Sequence, residues 1–190
     1  MDAFLLSFGV IFLAELGDKS QLMALAFAAR YPALPVLVAI TVATALVHLG
    51  SVALGVTVAV ALPTNLIAVV AGLAFFGFAA WTLRGDTLSD RDTHRAGREA
   101  AGSVIVTVGT AFFLAELGDK TMLATVTLAT HESAVGTWVG STAGMVAADA
   151  IAIAIGRVLG ARLPERAIRI GAAVAFVVFG AVLIWQGLAI

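Results

Sequence analysis

Residues 15–20 read Glu-Leu-Gly-Asp-Lys-Ser, and residues 116–121 read Glu-Leu-Gly-Asp-Lys-Thr. Each block puts two acids and a lysine into the middle of an apolar run. A charge at mid-bilayer costs roughly 2.5–3.5 kcal/mol on insertion scales. Six of them, unpaired, would cost on the order of 15–20 kcal/mol, more than the net stability of a typical domain, about 5–15 kcal/mol. These groups must therefore be paired, hydrated or bound to an ion. Glu15, Asp18, Glu116 and Asp119 are the candidate metal ligands, because clustered hard oxygens suit Mg, Ca or Mn rather than Cu or Zn. At i, i+3 the two acids of a block share a helix face. The glycine between them, Gly17 in the first block, weakens the helix and allows a local unwinding that frees carbonyls as further ligands. Lys19 and Lys120 are the charge-balancing groups. Four carboxylates against two ammonium groups leave an excess that a divalent cation neutralises, and each lysine can hold a carboxylate until the cation arrives. The competing expectation is that Glu15–Lys19 and Glu116–Lys120 are i, i+4 pairs that only lock two helices together.

Other residues carry weaker signals. Ser20 and Thr121 occupy equivalent places and either ligate or bond back to the helix backbone. Gln21 and Met122 are also equivalent and are further candidate ligands. A thioether at the site would favour Mn²⁺ over Ca²⁺, whereas a methionine at a helix interface is commonly plain packing. His48 and Asp149 are a third equivalent pair, each at mid-span, and are candidates for a proton route. Gly136, Gly140 and Gly144 form G-x₃-G-x₃-G, the spacing of close helix packing. No phosphate-binding loop, H-E-x-x-H or G-x-S-x-G occurs, so neither ATP-driven pumping nor an enzyme is supported.

The elements that must position these groups follow from composition. The 190 residues are 61% hydrophobic and 12% charged, with mean hydropathy +1.06. Soluble domains carry about 25% charged residues. The expectation is an all-α polytopic membrane protein. Six apolar segments are each long enough to cross a bilayer: 3–29, 33–62, 65–83, 103–130, 133–159 and 168–188. The chain has no cysteine, which excludes disulfides and thiolate metal sites. Its net charge of −1 argues against a nucleic-acid partner. The first residues, MDAFLLSFGV, lack a basic n-region and read as the start of a span rather than a leader.

Glu15 and Glu116 lie 101 positions apart, and the same offset, without gaps, superposes Gly55 on Gly156, Leu62-Pro63 on Leu163-Pro164, and Ala74-Phe75 on Ala175-Phe176. The chain is a duplication: residues 1–84 form a first three-helix repeat, 85–101 a linker loop, and 102–190 a second repeat. Three spans per repeat make the second enter the membrane inverted. All nine arginines fall at the 1–2, 3–4 and 5–6 connections. The positive-inside rule then puts those loops in the cytoplasm and both termini outside. Trp81, Trp138 and Trp185, near span ends, are expected as interfacial anchors.

Two copies of E-x-G-D-[KR]-[TS] in a six-span chain resemble the Gdt family of manganese and calcium transporters, within the lysine-exporter superfamily. The resemblance covers essentially the whole chain. It implies transport of Mn²⁺ or Ca²⁺, in exchange for protons, with Glu15, Asp18, Glu116 and Asp119 as ligands and no resident cofactor. It also implies alternating access about a midplane site, by rocking one half against the other. The short central loop fits a prokaryotic inner-membrane member exporting Mn²⁺. A Ca²⁺/H⁺ exchanger and an amino-acid exporter are the alternatives, and a homodimer is left open.

Overall fold

Apolar runs bounded by proline and small polar residues fold here as helices. The computed structural model describes residues 2–84, 104–159 and 165–189; the predicted linker, 85–101, lies outside the described residues. Among the described residues all regular structure is α-helical: α1 (Ala3–Glu15), α2 (Lys19–Ala28), α3 (Ala33–Ala61), α4 (Thr64–Arg84), α5 (Val104–Glu116), α6 (Lys120–Ala129), α7 (Ala134–Leu159) and α8 (Glu165–Leu188). The Asp2 carboxylate caps α1 by accepting the Phe4 amide at 3.0 Å. Pro32 caps α3, and α3 stops at Leu62, the residue before Pro63, because a proline disfavours helical backbone in its predecessor.

Four of the predicted spans are single helices long and apolar enough to cross a membrane: α3, α4, α7 and α8. The other two are not continuous. Each is divided at its Gly-Asp pair into a 13-residue and a 10-residue half-helix. Glu15 and Asp18 therefore do not share one helix face: Glu15 ends α1 and Asp18 caps α2. The i, i+3 reading assumed an unbroken helix, and the glycine overrides it.

Each helix packs chiefly on elements of the other half of the chain. α1 lies along α7, α5 along α3, and α4 along α8, while α3 and α7 cross one another. Many of these contacts respect the 101-residue offset. Thr44 Oγ1 donates to the sulfur of Met145, its own equivalent, at 3.4 Å. Phe75 meets its equivalent Phe176 with ring centroids 5.8 Å apart, and the reciprocal pairs Phe75–Phe179 and Phe78–Phe176 lie at 4.9 and 6.2 Å. Residue i touching residue i+101, with reciprocal neighbours, is the contact pattern of a two-fold axis.

Two apolar clusters flank the charged residues. One joins Met23 and Phe27 of α2, Val36 and Ile40 of α3, and Val108 and Phe112 of α5. The other joins Leu6 and Ile11 of α1, Phe75 and Phe78 of α4, Leu128 of α6, and Phe176 of α8. Along residues 3–28 the chain runs from the second cluster through the charges to the first. Along residues 104–129 it runs the opposite way.

The glycine stripe on α7 does what its spacing implies. A Cβ at Gly140 or Gly144 would collide with the backbone of Phe4, or of Phe8 and Phe12, on α1, so these glycines let two backbones touch. The indole of Trp138 donates to the Ala45 carbonyl at 2.9 Å; it ties α7 to α3 as well as standing near a helix end. Gly140→Val should lose about 1–3 kcal/mol through overpacking, lowering Tm in detergent by about 2–4 °C per kcal/mol. Gly77→Ala, whose added Cβ meets nothing within 4 Å, should stay within about 0.5 kcal/mol. Equal melting of the two variants would refute the close packing.

Candidate functional site

The site is built on the two breaks. Gly17 and Gly118 carry φ of 75° and 80°, a left-handed conformation that costs other residues roughly 1–2 kcal/mol. After each glycine the aspartate amide bonds back to the glutamate carbonyl, Asp18 to Glu15 and Asp119 to Glu116, both at 3.1 Å. The amide of the glycine itself is also taken up. Gly17 N–H donates to Gln21 Oε1 at 2.8 Å, and Gly118 N–H donates to Met122 Sδ at 3.1 Å. Gln21 and Met122, expected as candidate ligands, thus stabilise the breaks through those atoms. Gln21 further donates from Nε2 to the Ala148 carbonyl at 3.0 Å, pinning the first turn of α2 to α7.

Neither aspartate uses its carboxylate to cap its own helix. Each reaches across to the lysine of the other half. Lys19 Nζ lies 2.9 Å from Asp119, and Lys120 Nζ lies 2.9 Å from Asp18. This corrects the expectation of i, i+4 pairs within one block: the breaks turn each lysine out of register with its own glutamate. The two bridges are reciprocal under the 101-residue offset. They differ in exposure, because the Lys19 side chain keeps 23% of its surface accessible and that of Lys120 only 4%.

The glutamates are buried. Thr121 Oγ1 donates to Glu116 Oε2 at 3.0 Å, so this hydroxyl bonds to a site carboxylate rather than to its own helix backbone. Its equivalent Ser20 is buried, and its hydroxyl makes no hydrogen bond among the described residues; the same holds for both carboxylate oxygens of Glu15. The charges of Glu116, Asp18, Asp149 and Lys120 all act on Glu15. Each ammonium feels three of the carboxylates: Asp119, Glu116 and Asp18 for Lys19, and Asp18, Glu15 and Asp119 for Lys120. The four motif acids are therefore drawn into one electrostatic cluster. Among the described residues no three acidic or imidazole side chains stand close enough, as placed, to hold one metal ion; two of the carboxylates are held by the ammonium groups.

His48 and Asp149, equivalent in sequence, part company. Asp149 joins the cluster electrostatically, through Asp18, Glu15 and Glu116. His48 is buried; among the described residues its Nδ1 has no hydrogen-bond partner and no charged side chain acts on it. What sequence reasoning missed is the crosswise pairing. The offset of 101 carries the signal, because a two-fold axis that superposes the motifs also permits each motif to serve the other.

Apolar helices broken at mid-length around buried carboxylates and lysines are the arrangement of a secondary transporter for a cation. The chain belongs to the GDT1 family of divalent cation/proton antiporters, whose profile matches residues 3–90 and 104–190. It is a transporter and not an enzyme. It is 34% identical over 172 residues to a Vibrio cholerae protein named "Putative manganese exporter", covering 89% of this chain and 84% of that one. It is 33% identical to the chloroplastic protein PAM71 of Arabidopsis thaliana over 93% of this chain, and spans only 55% of the plant protein's length. A GDT1-like protein of Synechocystis, sll0615, is 29% identical over the whole of both chains. No solved structure matches.

Lys120→Met should destabilise the protein by about 3–5 kcal/mol, since it strands a buried carboxylate. Lys19→Met should cost less, because the Lys19 side chain is less buried than that of Lys120. The exchange Lys120→Asp with Asp18→Lys should recover most of the loss. A double-mutant cycle by thermal unfolding reads this out, and zero coupling between positions 18 and 120 would refute the crosswise bridge.

Proposed function

We propose that this protein exports Mn²⁺ from the cytoplasm across the bacterial inner membrane in exchange for protons. The divalent ion binds among Glu15, Asp18, Glu116 and Asp119, and Lys19 and Lys120 hold the aspartates when it is away. The observation that carries the reading is the reciprocal lysine–aspartate pairing of the two breaks inside one cluster of buried acids. A cation arriving at Asp18 or Asp119 must displace an ammonium, and protons compete for the same oxygens, so ion and proton exchange at one place. The hard oxygen donors admit Mn²⁺ and Ca²⁺ alike. The sulfur of Met122 is engaged by Gly118, which removes the thioether argument for Mn²⁺; the printed name of the Vibrio cholerae relative is what favours it. Ca²⁺/H⁺ exchange is the second reading.

In this proposal the chain crosses the membrane six times as two inverted repeats, with both termini outside and the arginine-bearing loops in the cytoplasm. Access alternates by a shift of α4 and α8 together. In this structure α4 packs on α6 and α8 on α1, more extensively than α4 on α5 or α8 on α2. The latter two contacts are the images of the former under the repeat operation. Moving between the two packings would open one side of the site and close the other. Rocking one repeat against the other would instead break most of the helix packing, because α1, α4 and α5 each pack chiefly on the opposite half.

Reconstituted protein should transport Mn²⁺ driven by a pH gradient, and Glu15→Gln should cut the rate more than about a hundredfold, beyond the 10–100-fold expected of an outer-shell partner. Binding should weaken as pH falls, because protonated carboxylates do not bind the cation. Titration calorimetry in buffers of different ionisation enthalpy should show proton release. Transport indifferent to the gradient, with buffer-independent enthalpies, would refute the exchange. Cysteines placed at Ser89 and Ser133 should label from opposite faces, and labelling from one face would refute the inverted topology.

A further inference from the structure

One buried acid lies outside the repeated motif. Asp149 sits on α7, a helix of 26 residues, with none of its surface exposed. Neither of its carboxylate oxygens makes a hydrogen bond among the described residues. An acid of this kind in an apolar helix is expensive to bury and in a membrane protein marks an ion or proton pathway. Its position is fixed by its neighbour. The Ala148 carbonyl accepts Gln21 Nε2 at 3.0 Å, and Gln21 in turn holds the Gly17 amide. The residue after Ala148 is therefore fastened beside the first break, on the side of Asp18 and Glu15.

The charges around Asp149 agree with that placement. Asp18 acts on it, and it acts on Glu15 and Glu116. The two ammonium groups are committed elsewhere, Lys19 to Asp119 and Lys120 to Asp18. Asp149 thus acts on Glu15 electrostatically, and among the described residues no ion pair joins a cationic side chain to either. The same place in the other half is taken by His48, on which no charged group among the described residues acts. The cluster is five carboxylates against two ammonium groups, and the surplus lies on one side of the two-fold relation.

We propose that Asp149 is a fifth carboxylate of the cation site, binding the transported divalent ion together with the acids of the first break, and that it makes the two halves of the site unequal. This rests on the proposed function and names a further residue for it. The ion supplies the positive charge that the protein leaves out at Asp149 and Glu15. Its class is a hard divalent cation taken up by carboxylate oxygens.

The test uses purified full-length protein in detergent with Mn²⁺ alone as the probe, and the same variants in liposomes. Asp149→Asn should weaken Mn²⁺ binding and raise the transport KM by about 10–100-fold. Its melting temperature without Mn²⁺ should stay level or rise, since a buried charge is gone, while the Mn²⁺-induced rise in melting temperature is lost. A merely structural aspartate predicts the reverse: lower melting without metal and an unchanged metal response, and that result overturns the proposal. His48→Asn should leave Mn²⁺ binding within about twofold, well short of the change expected for a partner of the metal; an equal loss at both positions overturns the asymmetry. If Asp149→Asn does not fold, Asp149→Glu carries the test, because moving the carboxylate by one methylene should change the ratio of Mn²⁺ to Ca²⁺ affinity by about tenfold, and an unchanged ratio overturns it. Glu15→Gln is measured in parallel. Loss of binding there with normal binding in Asp149→Asn sinks this inference and leaves the motif site standing; normal binding in both sinks the site itself.

Discussion

A carboxylate in an apolar interior needs a positive partner within reach, and in this protein the partner of each motif aspartate lies in the other half of the chain. Most of the architecture follows from that requirement. The lysine adjacent to an aspartate in sequence does not bridge it, because side chains at neighbouring positions do not face each other. Crosswise bridging needs the two breaks to be side by side at the same depth, and antiparallel, so that α1–α2 and α5–α6 traverse the apolar clusters in opposite order. The long helices α3 and α7 cross beside the breaks and make contacts with them. The halves consequently interlock and do not stand apart as separate three-helix bodies.

The breaks are stabilised with unusual economy. An interrupted helix leaves amides and carbonyls unpaired in a medium that offers them no water. Gly17 and Gly118 supply the backbone conformation, and the side chain four residues later takes the glycine amide in each case. One of those side chains is an amide and the other a thioether. A thioether sulfur is the weaker acceptor, so the second break is held less firmly, and it has no counterpart to the bond from Gln21 to Ala148. The exposed surface at Leu117 and Gly118 and the greater exposure of Lys19 both lie beside that looser break.

Much of this was legible in the sequence. Hydropathy and proline placement located α3, α4, α7 and α8 to within about three residues, because long apolar helices are decided by composition over many positions and single residues matter little. The duplicated motif pointed to the acids and lysines that cluster, and Gly17 pointed to the unwinding. The pairing of those charges was not legible. Spacing along a chain reports neighbours only while the helix is continuous, and a single left-handed glycine cancels the rule. The role of Gln21 and Met122 was hidden for the same reason: a side chain that looks available in a helical projection is consumed by a backbone group that the projection assumes is satisfied. Asp149 and His48 looked alike by symmetry, and only packing separated them.

Symmetry and its violation do different work in a transporter. In the proposed mechanism a two-fold related pair of breaks supplies two packings of nearly equal energy, since whatever α4 and α8 find on α6 and α1 has an image on α5 and α2. Near-equality is what allows a modest free energy, such as ion binding or protonation, to move the population from one packing to the other. Departures from symmetry occur at the site as well: Gln21 against Met122 at the breaks, Ser20 against Thr121 beside the glutamates, Asp149 against His48 on the long helices. Outside the site, at the tilted Phe75–Phe176 ring pair and the Thr44–Met145 contact, the halves still meet through equivalent positions. In the proposed exchange the gradients of ion and proton set the direction, and the unequal groups of the two halves set how tightly each packing holds the ion.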